Sequence, residues 1–173
     1  MKNLTVIGVG RLGLCFCLTL EKAGYNVIGC DVLPEYVASL NDKTFNSFEP
    51  GVNELLQRSV NFEAINDLQK AVAHSDILFV TVASYSEPDG QYDVSQVDSV
   101  VTQLKELGKQ EHKKHLVICT NVNPGYSDTV YGQLKDYNWE VSFNPETIAQ
   151  GTILKDQAEP DCESMFFLPG MHP

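Results

Sequence analysis

The feature that most constrains this chain is Gly8-Val9-Gly10-Arg11-Leu12-Gly13, a G-x-G-x-x-G placed directly after a short apolar run and directly before a helical pattern. The preceding residues, Leu4–Gly8, read as a strand. The following ones, Leu12–Ala23, carry Leu12, Cys15, Phe16, Thr19, Leu20 and Ala23 along one face, with Gly24 as the stop. In that context each glycine has a job. Gly8 permits a tight turn, Gly10 lets backbone N–H groups approach a ligand closely, and Gly13 lets the helix pack tightly on the strand. The amides bared at a helix start, with the positive end of its dipole, suit a phosphate or diphosphate. Arg11 has two readings: a partner for that diphosphate, or a solvated residue on the helix surface.

The rest of the chain repeats the alternation of apolar run and helix, which defines an α/β fold with a doubly wound, mostly parallel sheet of the Rossmann dinucleotide-binding type. Further strands are expected at Asn26–Asp31, Phe62–Ile65, Ile77–Val82, His115–Thr120, Trp139–Phe143 and Met165–Leu168. Helices are expected from Pro34, after Pro50-Gly51, from Asp67 to His74, from Asp93 or Ser95 to Gly108, and from Gly125 to Leu134. Ile77–Val82 is nearly continuous in apolar residues, as suits a strand buried on both faces. Ser84–Tyr92 reads as a polar loop, and Glu111-His112-Lys113-Lys114 as a solvated turn. At 173 residues without a linker or repeat, the expectation is one domain over 1–173.

Asp31 falls at the end of the second strand, where a carboxylate accepts the two hydroxyls of an adenosine ribose and repels a 2′-phosphate. No arginine follows it in Val32-Leu33-Pro34, so NAD is favoured over NADP. The charge balance, 12 Lys and Arg against 23 Asp and Glu, speaks against nucleic acid and anionic membrane surfaces as partners. No apolar stretch approaches the ~20 residues of a spanning helix. Nothing in Met1–Ile7 resembles a cleaved signal. The sequon Asn3-Leu4-Thr5 is read as chance. Cys15, Cys17, Cys30, Cys119 and Cys162 fit no metal framework and read as small buried hydrophobes of a reducing cytoplasm. His74 suits a helix end, whereas His112, His115 and His172 look peripheral.

Three further segments carry a family resemblance. Glu49-Pro50-Gly51-Val52-Asn53-Glu54-Leu55-Leu56 is similar to the E-P-G-L-x-E-L-L of the UDP-glucose/GDP-mannose 6-dehydrogenases. Asp89-Gly90-Gln91-Tyr92-Asp93-Val94-Ser95 resembles their D-G-x-x-D-L-S. Asn144-Pro145-Glu146-Thr147-Ile148-Ala149-Gln150-Gly151, with Lys155-Asp156 and Pro160-Asp161, resembles their N-P-E-F-L-x-E-G, K-D and P-D-R. The order and spacing agree along essentially the whole chain. The resemblance implies an NAD-binding domain of an enzyme that oxidises the C6 alcohol of a nucleotide sugar to a carboxylate with two NAD molecules in turn. It implies a catalytic cysteine and sugar-nucleotide site in a second half beyond a central helix, neither of which is expected in this chain. A domain without that helix is expected to expose an apolar patch that favours self-association.

Carried over residue by residue, the resemblance puts Gly8, Val9, Gly10, Arg11, Leu12, Gly13 and Asp31 at the cofactor. It adds Tyr36, Val82, Ala83, Ser84, Thr120 and Gln150 beside it. Glu146 and Asn121 become the candidate catalytic residues. Several of these depart from the family pattern. Tyr36 replaces a basic residue, Ser84-Tyr85 a Thr-Pro, Asn121 a threonine, Gln150 a second glutamate and Cys162 an arginine. Gln150 cannot exchange a proton as a carboxylate does. Two other readings are a degenerate, non-catalytic binding or regulatory module and an S-adenosylmethionine methyltransferase. The third glycine and Asn144-Pro145-Glu146 speak against the latter.

Overall fold

The computed structural model describes residues 2–146 and 149–159. The expected strand Met165–Leu168, and Thr147, Ile148, Pro160-Asp161, Cys162 and His172, lie outside the described residues. Among the described residues, six strands form one parallel sheet: β1 (Asn3–Ile7), β2 (Asn26–Cys30), β3 (Phe62–Ile65), β4 (Ile77–Val80), β5 (Lys114–Ile118) and β6 (Trp139–Phe143). Their spatial order is β3-β2-β1-β4-β5-β6. The chain therefore winds outward from β1 in one direction, then returns to β1's other side and winds outward again. That reversal between β1 and β4 opens a crevice at the carboxyl ends of the strands.

Strand alternation divides the core. Val6 faces a layer built by α1 (Arg11–Lys22), α2 (Pro34–Asn41) and α3 (Val52–Arg58), with Leu14, Leu18, Val37 and Leu56 inside it. Its neighbour Ile7 faces the opposite layer, where α4 (Leu68–His74), α5 (Ser95–Glu106) and α6 (Tyr126–Leu134) bury Val72, Val101, Leu104 and Leu134 against Leu78, Leu116 and Trp139. A last short helix, α7 (Ile153–Ala158), returns to pack on α1. Local chemistry explains most boundaries. Pro34 begins α2 at its first turn, and the Asp67 carboxylate accepts from the Lys70 amide at 3.0 Å to cap α4. Gly24 and Gly108 close α1 and α5 with φ near +94° and +80°, a conformation that costs other residues. Asp93 accepts from the Ser95 amide at 2.9 Å, although Val94 is the residue at the cap of α5.

Four expectations are corrected. The face of α1 that enters the core is Gly13, Leu14, Cys15, Cys17 and Leu18, whereas Leu12, Phe16, Thr19 and Leu20 are half-buried and Ala23 is exposed. β4 ends at Val80, and Ile77 is 40% exposed because it stands at the strand's solvent-side entry rather than between two layers. Lys114 is no member of a solvated turn: it opens β5 and is buried, with Nζ donating to Val72 O at 2.9 Å and Ser75 O at 2.8 Å. Carbonyls at the end of α4, which lack partners within the helix, thereby gain a cation. His115 is half-buried within β5, its Nε2 2.9 Å from Ser142 Oγ, rather than peripheral.

Candidate functional site: a crevice at the glycine turn

The turn after β1 is held from three sides. Gly8 has φ +88° and donates its N–H to Cys30 O at 2.8 Å. Thr81 Oγ1 donates to Gly8 O at 2.6 Å, tying β4 to the turn. Tyr36 Oη donates to Val9 O at 2.7 Å from behind, with its ring edge-on to Phe45. Gly13 fits under this arrangement only because it lacks a side chain: a Cβ there would stand 2.0 Å from Gly8 O and 2.7 Å from Thr81 Oγ1. At Gly10 the opposite holds. A Cβ there would meet nothing within 4 Å, so the bare backbone faces open space. Among the described residues no side chain caps α1, and its first turn holds no acid. Its leading amides and dipole are thus left for a ligand.

Asp31 follows β2 and stands beside this opening. Its Oδ2 accepts from the Val9 amide at 3.0 Å and its Oδ1 from the Leu33 amide at 3.2 Å. Each oxygen keeps acceptor capacity, and the residue lines the crevice. The crevice encloses about 850 Å³. Of the residues singled out from sequence, it brings together Gly8, Gly10, Arg11, Leu12, Asp31, Val82, Ala83, Ser84, Thr120, Asn121, Glu146 and Gln150. Val9 and Gly13 instead build the turn's interior: Val9's side chain is fully buried. Tyr36 is likewise absent from the lining. It braces the turn, and burial first, then the Asp31 charge, push its phenol well above the usual range.

At the far end, Ser84 Oγ and Thr120 Oγ1 lie 2.9 Å apart, after β4 and β5. Glu146 follows β6, half-buried, and its Oε2 accepts from Gln157 Nε2 at 3.2 Å. Burial lifts the Glu146 carboxyl above its ordinary value of 4.5, and the Gln157 bond pulls it partly back. An acid raised in the folded state stabilises the fold most below its unfolded value, and that contribution is lost as pH rises through the folded value. Glu146→Gln is therefore expected to remove part of the wild-type's loss of stability between pH 4.5 and neutrality. Urea midpoints of both proteins across that range measure it, and parallel curves would refute the assignment.

Some participants escaped the sequence reading. Gln96, Ser99 and Gln103 project from α5 into the crevice, and their three- and four-residue spacing was a helical polar stripe already visible in sequence. Thr81 carried no such signal. Among the described residues the thiols offer no nucleophile here: Cys15, Cys17, Cys30 and Cys119 are all buried. Burial pushes Cys30 up to about 11 and Cys119 higher still. Among the described residues no cluster suits a metal ion, and no helix is long and apolar enough to cross a membrane.

The parallel sheet in this order, the glycine turn and the acid after β2 define a dinucleotide-binding domain. Residues 2–162 match the family model described as UDP-glucose/GDP-mannose dehydrogenase family, NAD binding domain. The chain belongs to that family, and the matched region is its NAD-binding part. It is 32% identical over 160 residues to an uncharacterized protein of Methanocaldococcus jannaschii, covering 92% of this chain and 18% of that one. It is 27% identical to a UDP-glucose 6-dehydrogenase of Bacillus subtilis, covering 89% of this chain and 36% of the relative. Among solved structures, a ternary complex of GDP-mannose dehydrogenase from Pseudomonas aeruginosa superposes with a TM-score of 0.88 at 25% identity, covering 97% of this chain and 41% of that one. The chain thus spans well under half the length of these relatives.

Proposed function

We propose that this chain binds NAD across the β1–β4 crevice as the cofactor domain of a nucleotide-sugar 6-dehydrogenase, and that it does not complete the oxidation by itself. The observation that carries the reading is the pairing of an uncapped helix start at Gly10 with the Asp31 carboxylate beside it. The open space at Gly10 fits a diphosphate, since a side chain there would fill it. Asp31, already oriented by two amides, would take the adenosine ribose hydroxyls, and its charge disfavours a 2′-phosphate. When bound, NAD supplies the hydride acceptor for an alcohol. The chain's own contribution lies at the other end. Asn121 offers an amide donor and acceptor, and Glu146 holds a carboxyl that burial raises above its ordinary value, placed to carry a proton. The names of the relatives, a UDP-glucose 6-dehydrogenase among them, support a UDP-sugar as the substrate class.

Calorimetric titration with NAD tests the reading, which fails if the folded chain gives no binding at millimolar ligand. Asp31→Ala is expected to weaken NAD by about 1–3 kcal/mol, because hydrogen bonds to a charged group are lost. Unchanged affinity in that variant removes Asp31 from the site. A second reading, a non-catalytic binding or regulatory module, draws on Tyr36, Asn121 and Gln150, which depart from the family pattern. Co-purification with a complete dehydrogenase favours it, and turnover of UDP-glucose by the chain alone defeats both readings.

A further inference from the structure

We infer that Glu49 is a positioning residue for the reactive end of the crevice, because its buried carboxylate clamps the backbone on both sides of Thr152 and so fixes the segment that presents Gln150 and supports Glu146. The inference rests on the cofactor reading above. Glu49 belongs to the loop between α2 and α3 and is only 5% exposed. Its Oε2 accepts from the Gly151 amide at 3.0 Å and its Oε1 from the Ile153 amide at 2.9 Å, across more than 100 residues of sequence. A buried carboxylate must be paired to be tolerated, and among the described residues these two amides are its hydrogen-bond donors.

The clamp reaches the crevice by two routes. Gln150, one residue before the first clamped amide, lines the crevice directly. Through α7, the second clamped amide leads to Gln157, which donates to Glu146 and whose Oε1 lies 3.5 Å from Thr19 Oγ1 on α1. Ile153 is buried with Leu14, Val52 and Leu56, so the same residue that gives an amide to Glu49 also anchors α7 in the core. On the other side Asp156 Oδ2 accepts from the Ala149 amide at 3.1 Å, closing the segment on itself. The Glu49 carboxylate therefore supplies the hydrogen bonds that tie the α2–α3 loop to a unit that carries one crevice residue and steadies another. A glutamine there keeps the size but brings an amide donor against an amide donor at one of the two contacts.

The test separates the two ends of the crevice by comparing NAD with ADP, which lacks the nicotinamide half. In Glu49→Gln, NAD affinity is expected to fall about fivefold or more while ADP affinity holds within about twofold. Hydrogen exchange at Gly151 and Ile153 is expected to rise about tenfold or more while β4 and α5 keep their rates. Equal losses for both ligands, or no change for either, overturn the inference and leave the cofactor reading standing. No NAD binding by the wild-type chain overturns both. If Glu49→Gln fails to fold, the wild-type chain decides: NAD must slow exchange at Gly151 and Ile153 more than ADP does, and equal protection overturns the inference.

Discussion

Gly13→Ala is expected to destabilise the fold by about 3 kcal/mol or more, the upper range for forcing an atom into a packed interior. Neither neighbour of the new methyl can move freely. Gly8 O, 2.0 Å away, belongs to a backbone already fixed by the Gly8 amide bond to Cys30 O. Thr81 Oγ1, 2.7 Å away, spends its proton on that same Gly8 carbonyl. Relief requires sliding α1 off the sheet, and α1 carries Leu14, Cys17 and Leu18 into the core. Urea unfolding followed by circular dichroism measures the loss, and a shift under about 1 kcal/mol would falsify the close approach of helix and strand.

Three positions earlier the outcome reverses. Gly10→Val is expected to leave stability within about 1 kcal/mol of wild type, since φ −65° with ψ −162° suits an ordinary residue and a Cβ meets nothing. Yet NAD affinity is expected to drop about a hundredfold, near 3 kcal/mol, because the new side chain occupies the approach to the helix amides. Calorimetry gives the affinity. A thermal scan with and without NAD gives an independent reading, as only a ligand of the native state raises the melting temperature. Full NAD binding by Gly10→Val would remove the helix start from the site. The two variants together distinguish a glycine kept for packing from one kept for a ligand.

Much of this was legible in the sequence. The turn, Asp31, Pro34, the Asp67 cap and the strands at Phe62–Ile65 and Trp139–Phe143 follow from local rules that need no neighbour. The same rules could not reveal partners distant in sequence. Lys114 looked solvated because its run is charged, and only the fold brings the Val72 and Ser75 carbonyls to its ammonium. Tyr36 stood near the expected cofactor by position, but the hydroxyl turns to the Val9 carbonyl and the residue serves the turn. Glu49 opens the Glu-Pro-Gly stretch, while its carboxylate acts on amides that topology alone supplies. Gln96, Ser99 and Gln103 of α5 share a helical spacing, and the crevice they face is set by the fold alone.

The sealed sulfurs of Cys15, Cys17, Cys30 and Cys119 have a practical bearing. Cys15 and Cys17 lie inside the helix that the glycine turn launches, and Cys119 lies at the crevice floor. An alkylating reagent reaches Cys15 and Cys17, 1% and 0% exposed, only when the surrounding packing parts. Mass shifts on the peptide that carries Cys15 and Cys17 therefore clock the opening of the layer built by α1, α2 and α3, with no residue replaced.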